Sequence, residues 1–132
     1  MSQELVWLTA TALMTALMWL PYVINRIAEL GLLTTLGNTG AVEPVNNAWA
    51  IRAQRAHMNA LEGLAIFATL VLAIQVGQLN SDLTAKVAAA YFFVRAAHYV
   101  VYLIGVPMIR TLLFAAGLVC QIILALVLLG MI

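Results

Sequence analysis

Arg52, Arg55, Asn59 and Glu62 punctuate an otherwise apolar stretch, and residues of these types can hold a charged small molecule. On a helix advancing about 100° per residue they fall within about 80° of one another. Guanidinium forks suit carboxylates, which they bind through two parallel hydrogen bonds. Arg55 and Glu62 stand seven residues apart, about two helical turns and too far for a good direct pair on one helix. Each therefore needs a partner on another helix or on a ligand. The residue types favour an anionic-ligand pocket over a purely structural network between helices.

A second polar face follows. Tyr91, Arg95, His98, Tyr99 and Tyr102 lie within about 100° of arc, offering a cation, an imidazole and several phenols. Arg95 and Tyr102 read as interior groups, because an arginine facing lipid is costly. Tyr91 and Tyr99 read as anchors at the membrane interface. His57 lies about 200° from Arg55, which points to helix packing or an interfacial place rather than chemistry. Arg110, beside Thr111, opens the last apolar run. A cation at a helix N-terminus opposes the macrodipole, so Arg110 is either a functional charge or an interfacial anchor. Two histidines on different segments and one cysteine elsewhere give no metal-ligand spacing. Neither a glycine-rich phosphate loop nor a nucleophile elbow is present.

These groups must be positioned by membrane helices. Of 132 residues 65% are hydrophobic and 8% charged, with a mean hydropathy of +1.05. A soluble domain this small cannot bury so much apolar surface. The pattern predicts an all-α integral membrane protein, a bundle of four transmembrane helices forming a single domain over residues 1–132. The helices are expected at about 3–29, 47–76, 83–104 and 108–131, each long enough to span.

Pro21 is read as tolerated near the end of the first. Gly31 through Asn47, with Gly37, Asn38, Gly40 and Pro44, reads as a loop. Gln78 to Asp82 reads as a polar turn with Ser81 or Asp82 as helix cap. Gly105 and Pro107 break the third helix from the fourth. Met1 to Glu4 lack the basic start of a secretory signal, so the first segment is expected to remain as a crossing. Arg26, Arg52, Arg55 and Arg110 gather towards the first and third loops, which places those loops in the cytoplasm and both termini outside. A net charge of +1 speaks against a nucleic-acid partner. Cys120 reads as a small packing residue. Trp7, Trp19 and Trp49 read as interfacial or packing groups.

Three stretches resemble the MAPEG superfamily, the membrane-associated proteins of eicosanoid and glutathione metabolism. They are Arg55-Ala-His-Met-Asn59-Ala-Leu-Glu62, Arg95-Ala-Ala-His98-Tyr-Val-Val-Tyr102 and Gly105-Val-Pro107-Met-Ile-Arg110-Thr111. The last looks like bacterial members in particular, which implies a bacterial inner membrane. The resemblance implies a homotrimer with glutathione, as cosubstrate, between neighbouring subunits towards the cytoplasm. By that likeness Arg55, Asn59 and Glu62 hold the tripeptide backbone, Tyr102 and His98 contribute from the third helix, and Arg26 assists a carboxylate. Arg52 and Arg95 are counted with the same binding set from their polar faces. Arg110 matches the family's arginine beside the thiol, and Thr111 is expected to donate a hydrogen bond to the same sulfur.

The implied activity is a glutathione-dependent transferase or peroxidase acting on small lipophilic electrophiles or lipid hydroperoxides drawn from membrane lipids. No metal is expected. Met58 stands where some members carry a basic residue, Gly63 where a leukotriene-forming relative has Tyr, and Phe114 where a prostaglandin-forming relative has Tyr. These departures weaken the eicosanoid-synthase activities more than glutathione binding. The rival reading is a non-catalytic trimeric scaffold or lipid-binding protein of the same fold. A small multidrug transporter is disfavoured, because no acidic residue lies between Glu4 and Glu29 in the first helix.

Overall fold

The computed structural model describes residues 1–37 and 47–132. Asn38, Gly40 and Pro44 of the expected loop lie outside these residues. Among the described residues the chain forms α1 (Gln3–Leu17), α2 (Leu20–Leu30), α3 (Leu32–Gly37), α4 (Ala48–Val76), α5 (Asp82–Ile104) and α6 (Pro107–Leu128). Four stretches are long and apolar enough to cross a membrane: Gln3–Leu30, Ala48–Val76, Asp82–Ile104 and Pro107–Leu128. The molecule is an all-α, multi-pass membrane protein.

The first crossing departs from a continuous helix. It breaks at Met18 and Trp19, between α1 and α2. Pro21 supplies the cause: it has no N–H, and its ring collides with the carbonyl four residues earlier. That carbonyl belongs to Leu17, where α1 stops. The neighbouring Met18 carbonyl is taken by the Tyr99 hydroxyl at 2.9 Å. Tyr99 thus serves the break from α5 as a donor.

A second departure follows α2. Gly31 turns the chain at φ 87°, a conformation that glycine adopts without a steric penalty. The expected loop then begins with the short helix α3.

Ser81 caps α5. Its Oγ accepts from the Thr84 N–H at 3.2 Å while Thr84 Oγ1 accepts from the Ser81 N–H at 2.8 Å, a reciprocal capping box. Ser81→Ala is expected to cost about 1 kcal/mol, read as a lower unfolding midpoint in detergent. The same Thr84 hydroxyl donates to the carboxylate of Glu4, which is buried against it. One threonine therefore ties the start of α1 to the start of α5.

The core comprises Phe67, Val71 and Ile74 from α4, Val87, Ala88 and Tyr91 from α5, and Cys120 and Leu124 from α6. Without water to squeeze apolar groups together, helices in lipid associate through close packing and interhelical hydrogen bonds. Ala50, Ala53, Ala56 and Ala60 form the buried small-residue seam of α4 that such packing uses. Cys120 takes the packing role expected of it. Tyr91 does not sit at an interface: it is 1% exposed and stacks on Phe67 with ring centroids 4.1 Å apart. Its phenol oxygen finds a buried donor in Gln121 at 3.3 Å, which is why the interior tolerates it. Trp7 packs against Phe92 and Phe93, each at 5.4 Å; Trp19 and Trp49 are exposed.

Candidate functional site

Three recesses meet at Asn59, on the faces of α4, α5 and α6. The largest, about 460 Å³, is lined by Gln54, Arg55, Asn59, Glu62 and Tyr102, with Ile51 and Met58 as apolar walls. The next, about 240 Å³, adds His98, Arg110, Thr111 and Phe114 to Asn59 and Tyr102. The third, about 150 Å³, runs inward past Glu62 and Gly63 to Tyr91 and Arg95. The two polar faces seen in sequence therefore converge, and α6 closes them with Arg110 and Thr111.

The local geometry assigns each group a situation. Arg95 is 4% exposed and donates from Nη2 to Asn59 Oδ1 at 2.6 Å. This bond fixes the carboxamide so that the Asn59 amide nitrogen remains available to the recesses. Arg110 lies with Cζ 4.7 Å from the centroid of the Tyr102 ring, inside cation–π range. The ring holds that guanidinium at the recess it lines. His98 is buried beside both, 5.7 Å from the Tyr102 ring and 6.4 Å from Phe114. Thr111 donates its hydroxyl proton to the Pro107 carbonyl at 2.9 Å. In the chain alone that proton is engaged by its own helix, as with the other threonines that bond a carbonyl four residues back.

Arg52 and Arg26 stand apart from the recesses. Arg52 donates Nε to the Leu103 carbonyl at 2.9 Å and so caps the C-terminal turn of α5, a place that favours a cation. Gly105 makes room for it: an added β-carbon there would come within 3.2 Å of Arg52 Nε. Arg26 lines none of the three recesses, and its Nε is buried without a partner among the described residues. His57 packs as its angle implied, with Nδ1 2.8 Å from the Tyr22 hydroxyl.

Arg55 and Glu62 are exposed on the single chain. The only ion pair among the described residues is Lys86–Asp82 at 2.8 Å, far along the chain from either. Charges left open at membrane depth demand a partner. Sequence reasoning passed over Gln54 and Gln121 and took Tyr91 for an anchor. Gln121 carried a readable signal, being the one amide in the uncharged run of α6. Its Nε2 donates to the Gly63 carbonyl at 3.0 Å, tying α6 to α4 behind the recesses. No group of three or more His, Cys, Asp or Glu side chains gathers among the described residues.

Fold and recesses together define a four-crossing membrane protein with a polar, cation-bearing groove cut into its bundle. Comparison with protein families matches residues 5–130 to the MAPEG family, so the chain belongs to that family. Neither curated proteins nor solved structures give a match.

Proposed function

We propose that this protein is a membrane-embedded glutathione-dependent transferase or peroxidase for lipophilic electrophiles or lipid hydroperoxides. The observation that carries the reading is the convergence of Arg55, Asn59, Glu62, Tyr102 and Arg110 around adjoining recesses. Glutathione carries two carboxylates, one ammonium and a thiol, and the donor set fits that pattern. Arg55 suits a carboxylate, Glu62 the ammonium, and Asn59 and Gln54 the peptide amides. The larger recess falls within the range of about 300–1,000 Å³ usual for small-molecule sites.

Arg110 supplies a positive charge for the thiol, which favours the thiolate and raises the concentration of nucleophile at neutral pH. The sulfur forms a bond to the electrophilic carbon, and the displaced electron pair leaves with the departing group or a ring-opened oxygen, which takes a proton from water. With a hydroperoxide the sulfur takes the terminal oxygen and an alcohol departs. A second thiol then converts the sulfenic acid to disulfide and water. Holding a polar tripeptide beside bilayer-dissolved substrate joins two poorly miscible reactants, an orientation gain. MAPEG membership covers such enzymes and also non-catalytic members.

The exposed Arg55 and Glu62 support a homotrimer in which a neighbouring subunit completes the groove. The arginines at the end that carries Arg26, Arg55 and Arg110 support a cytoplasmic orientation of the site in a bacterial inner membrane, with the termini opposite. The test is calorimetric titration of glutathione into detergent-purified protein, with Glu62→Gln alongside. Micromolar-to-millimolar binding that weakens about tenfold in the variant is expected. No binding by assembled wild type would remove the glutathione reading and leave the scaffold alternative.

A further inference from the structure

Over its first half α4 packs on small residues. Ala50, Ala53, Ala56 and Ala60 are buried, and Phe67 is the first large side chain of α4 that is fully buried. Such a face lets helices approach closely, yet it has no long ridge to set rotation and register against a neighbour. Hydrogen bonds must supply that. Two run between α4 and α5 and meet α4 before Glu62. Arg52 Nε donates to the Leu103 carbonyl at 2.9 Å, and Arg95 Nη2 donates to Asn59 Oδ1 at 2.6 Å. The next meets α4 just past Glu62. There Gln121 Nε2 donates to the Gly63 carbonyl at 3.0 Å, the one hydrogen bond between α4 and α6 among the described residues. The same nitrogen lies 3.3 Å from the Tyr91 hydroxyl, so an amide with two protons grips α4 and α5 from α6. The Gly63 carbonyl does not need this donor: inside a continuous helix it already accepts from the N–H four residues on. A buried amide in an apolar run, with no orphan acceptor to satisfy, serves the placement of the helices it joins.

We propose that Gln121 is a positioning residue, on the glutathione reading given above: it fixes how far Glu62 on α4 stands from Arg110 on α6. In that reading Glu62 takes the ammonium and Arg110 the thiol. A chain of limited reach joins those two groups of the tripeptide, so both bind well only while α4 and α6 keep their spacing. With the tie, the turn 59–63 is pinned at both ends, at Asn59 from α5 and at Gly63 from α6. Without it the turn is pinned at Asn59 alone, and the ligand satisfies one end at the expense of the other. Gln121 acts through the backbone of Gly63 and sets which thiol is preferred, not the chemistry done on it.

The experiment titrates glutathione and glutaryl-cysteinyl-glycine, the same molecule without its amino group, into intact protein in lipid nanodiscs. The variant is Gln121→Met, which keeps length and bulk and removes the donor. Gln121→Asn, one methylene short, carries the test if Gln121→Met does not assemble. Ser81→Ala, which loosens the capping box at the far end of α5, controls for lost stability. Wild type is expected to prefer glutathione by about tenfold, the worth of one charge-assisted contact. In Gln121→Met that preference is expected to fall to about twofold or less, as for two coupled groups in a mutant cycle. Ser81→Ala keeps the wild-type preference although its unfolding midpoint drops. Equal weakening of both ligands in Gln121→Met, with their ratio kept, makes Gln121 purely structural and overturns the proposal. A ratio that collapses as far in Ser81→Ala overturns it too. Glutathione binding by wild type with no preference over the deaminated form removes Glu62 from the ammonium; the proposal falls while the glutathione reading stands. No glutathione binding by assembled wild type sinks both.

Discussion

Alanine in place of Arg110 is expected to lower the thiolate fraction of bound glutathione at neutral pH about tenfold or more. A free thiol titrates near about pH 8.5, and a neighbouring cation lowers that value by favouring the anion. Each unit of lowering is about a factor of ten in the equilibrium, about 1.36 kcal/mol. Arg110 is held at the recess by the Tyr102 ring, 4.7 Å from its Cζ, so its field acts from a fixed point. The sign is definite: with Arg110 the conjugation rate reaches its plateau at lower pH, and without it the inflection moves up towards the free thiol. A thiolate difference spectrum and a pH–rate profile measure both. Arg110→Lys is expected to retain most of the shift, because charge rather than the guanidinium fork sets it. An unshifted profile in Arg110→Ala removes Arg110 from the chemistry.

The second large effect concerns packing. Gly63→Ala is expected to destabilise the fold by about 1–3 kcal/mol, the usual cost of forcing an extra carbon into a filled interior. The clash is with one atom, the Tyr91 hydroxyl oxygen at 2.6 Å, while the next contacts lie at 3.8 Å. Tyr91→Phe deletes that atom, so Gly63→Ala is expected to lose most of its cost in the Tyr91→Phe background. Reversible unfolding in nanodiscs, run as a double-mutant cycle, measures the coupling. Additive costs would mean that residue 63 acts on something other than Tyr91. A tyrosine at this position requires a different arrangement of α5 than the one here.

The four crossings were legible because predominantly apolar runs of membrane length, with few or no charges, have hardly any place in a water-soluble fold of this size. The break in the first was not, since Pro21 near a helix end looks harmless. Its effect falls four residues upstream, on Leu17, and only the acceptor left for Tyr99 reveals it. The site was legible as two faces, because periodicity reports which residues share a side of their own helix. It does not report what stands opposite. Arg52 shares the face of Arg55 and Asn59 yet caps α5, because the end of α5 lies beside the first turn of α4. Tyr91 shares the arc of Arg95 and Tyr99 yet belongs to the core, because Phe67 and Gln121 come from other helices. Those neighbours are tertiary facts.

The bond between Thr84 and Glu4 spans 80 positions of sequence, and that separation has a meaning during synthesis. At about 5–20 residues per second, a ribosome adds the threonine about 4–16 seconds after the glutamate. Through that interval the first crossing is already made and its acidic end has no permanent counterpart. The second crossing by then already offers Gln75 to Ser2, so the third brings the last tie to the start of the first rather than its only one.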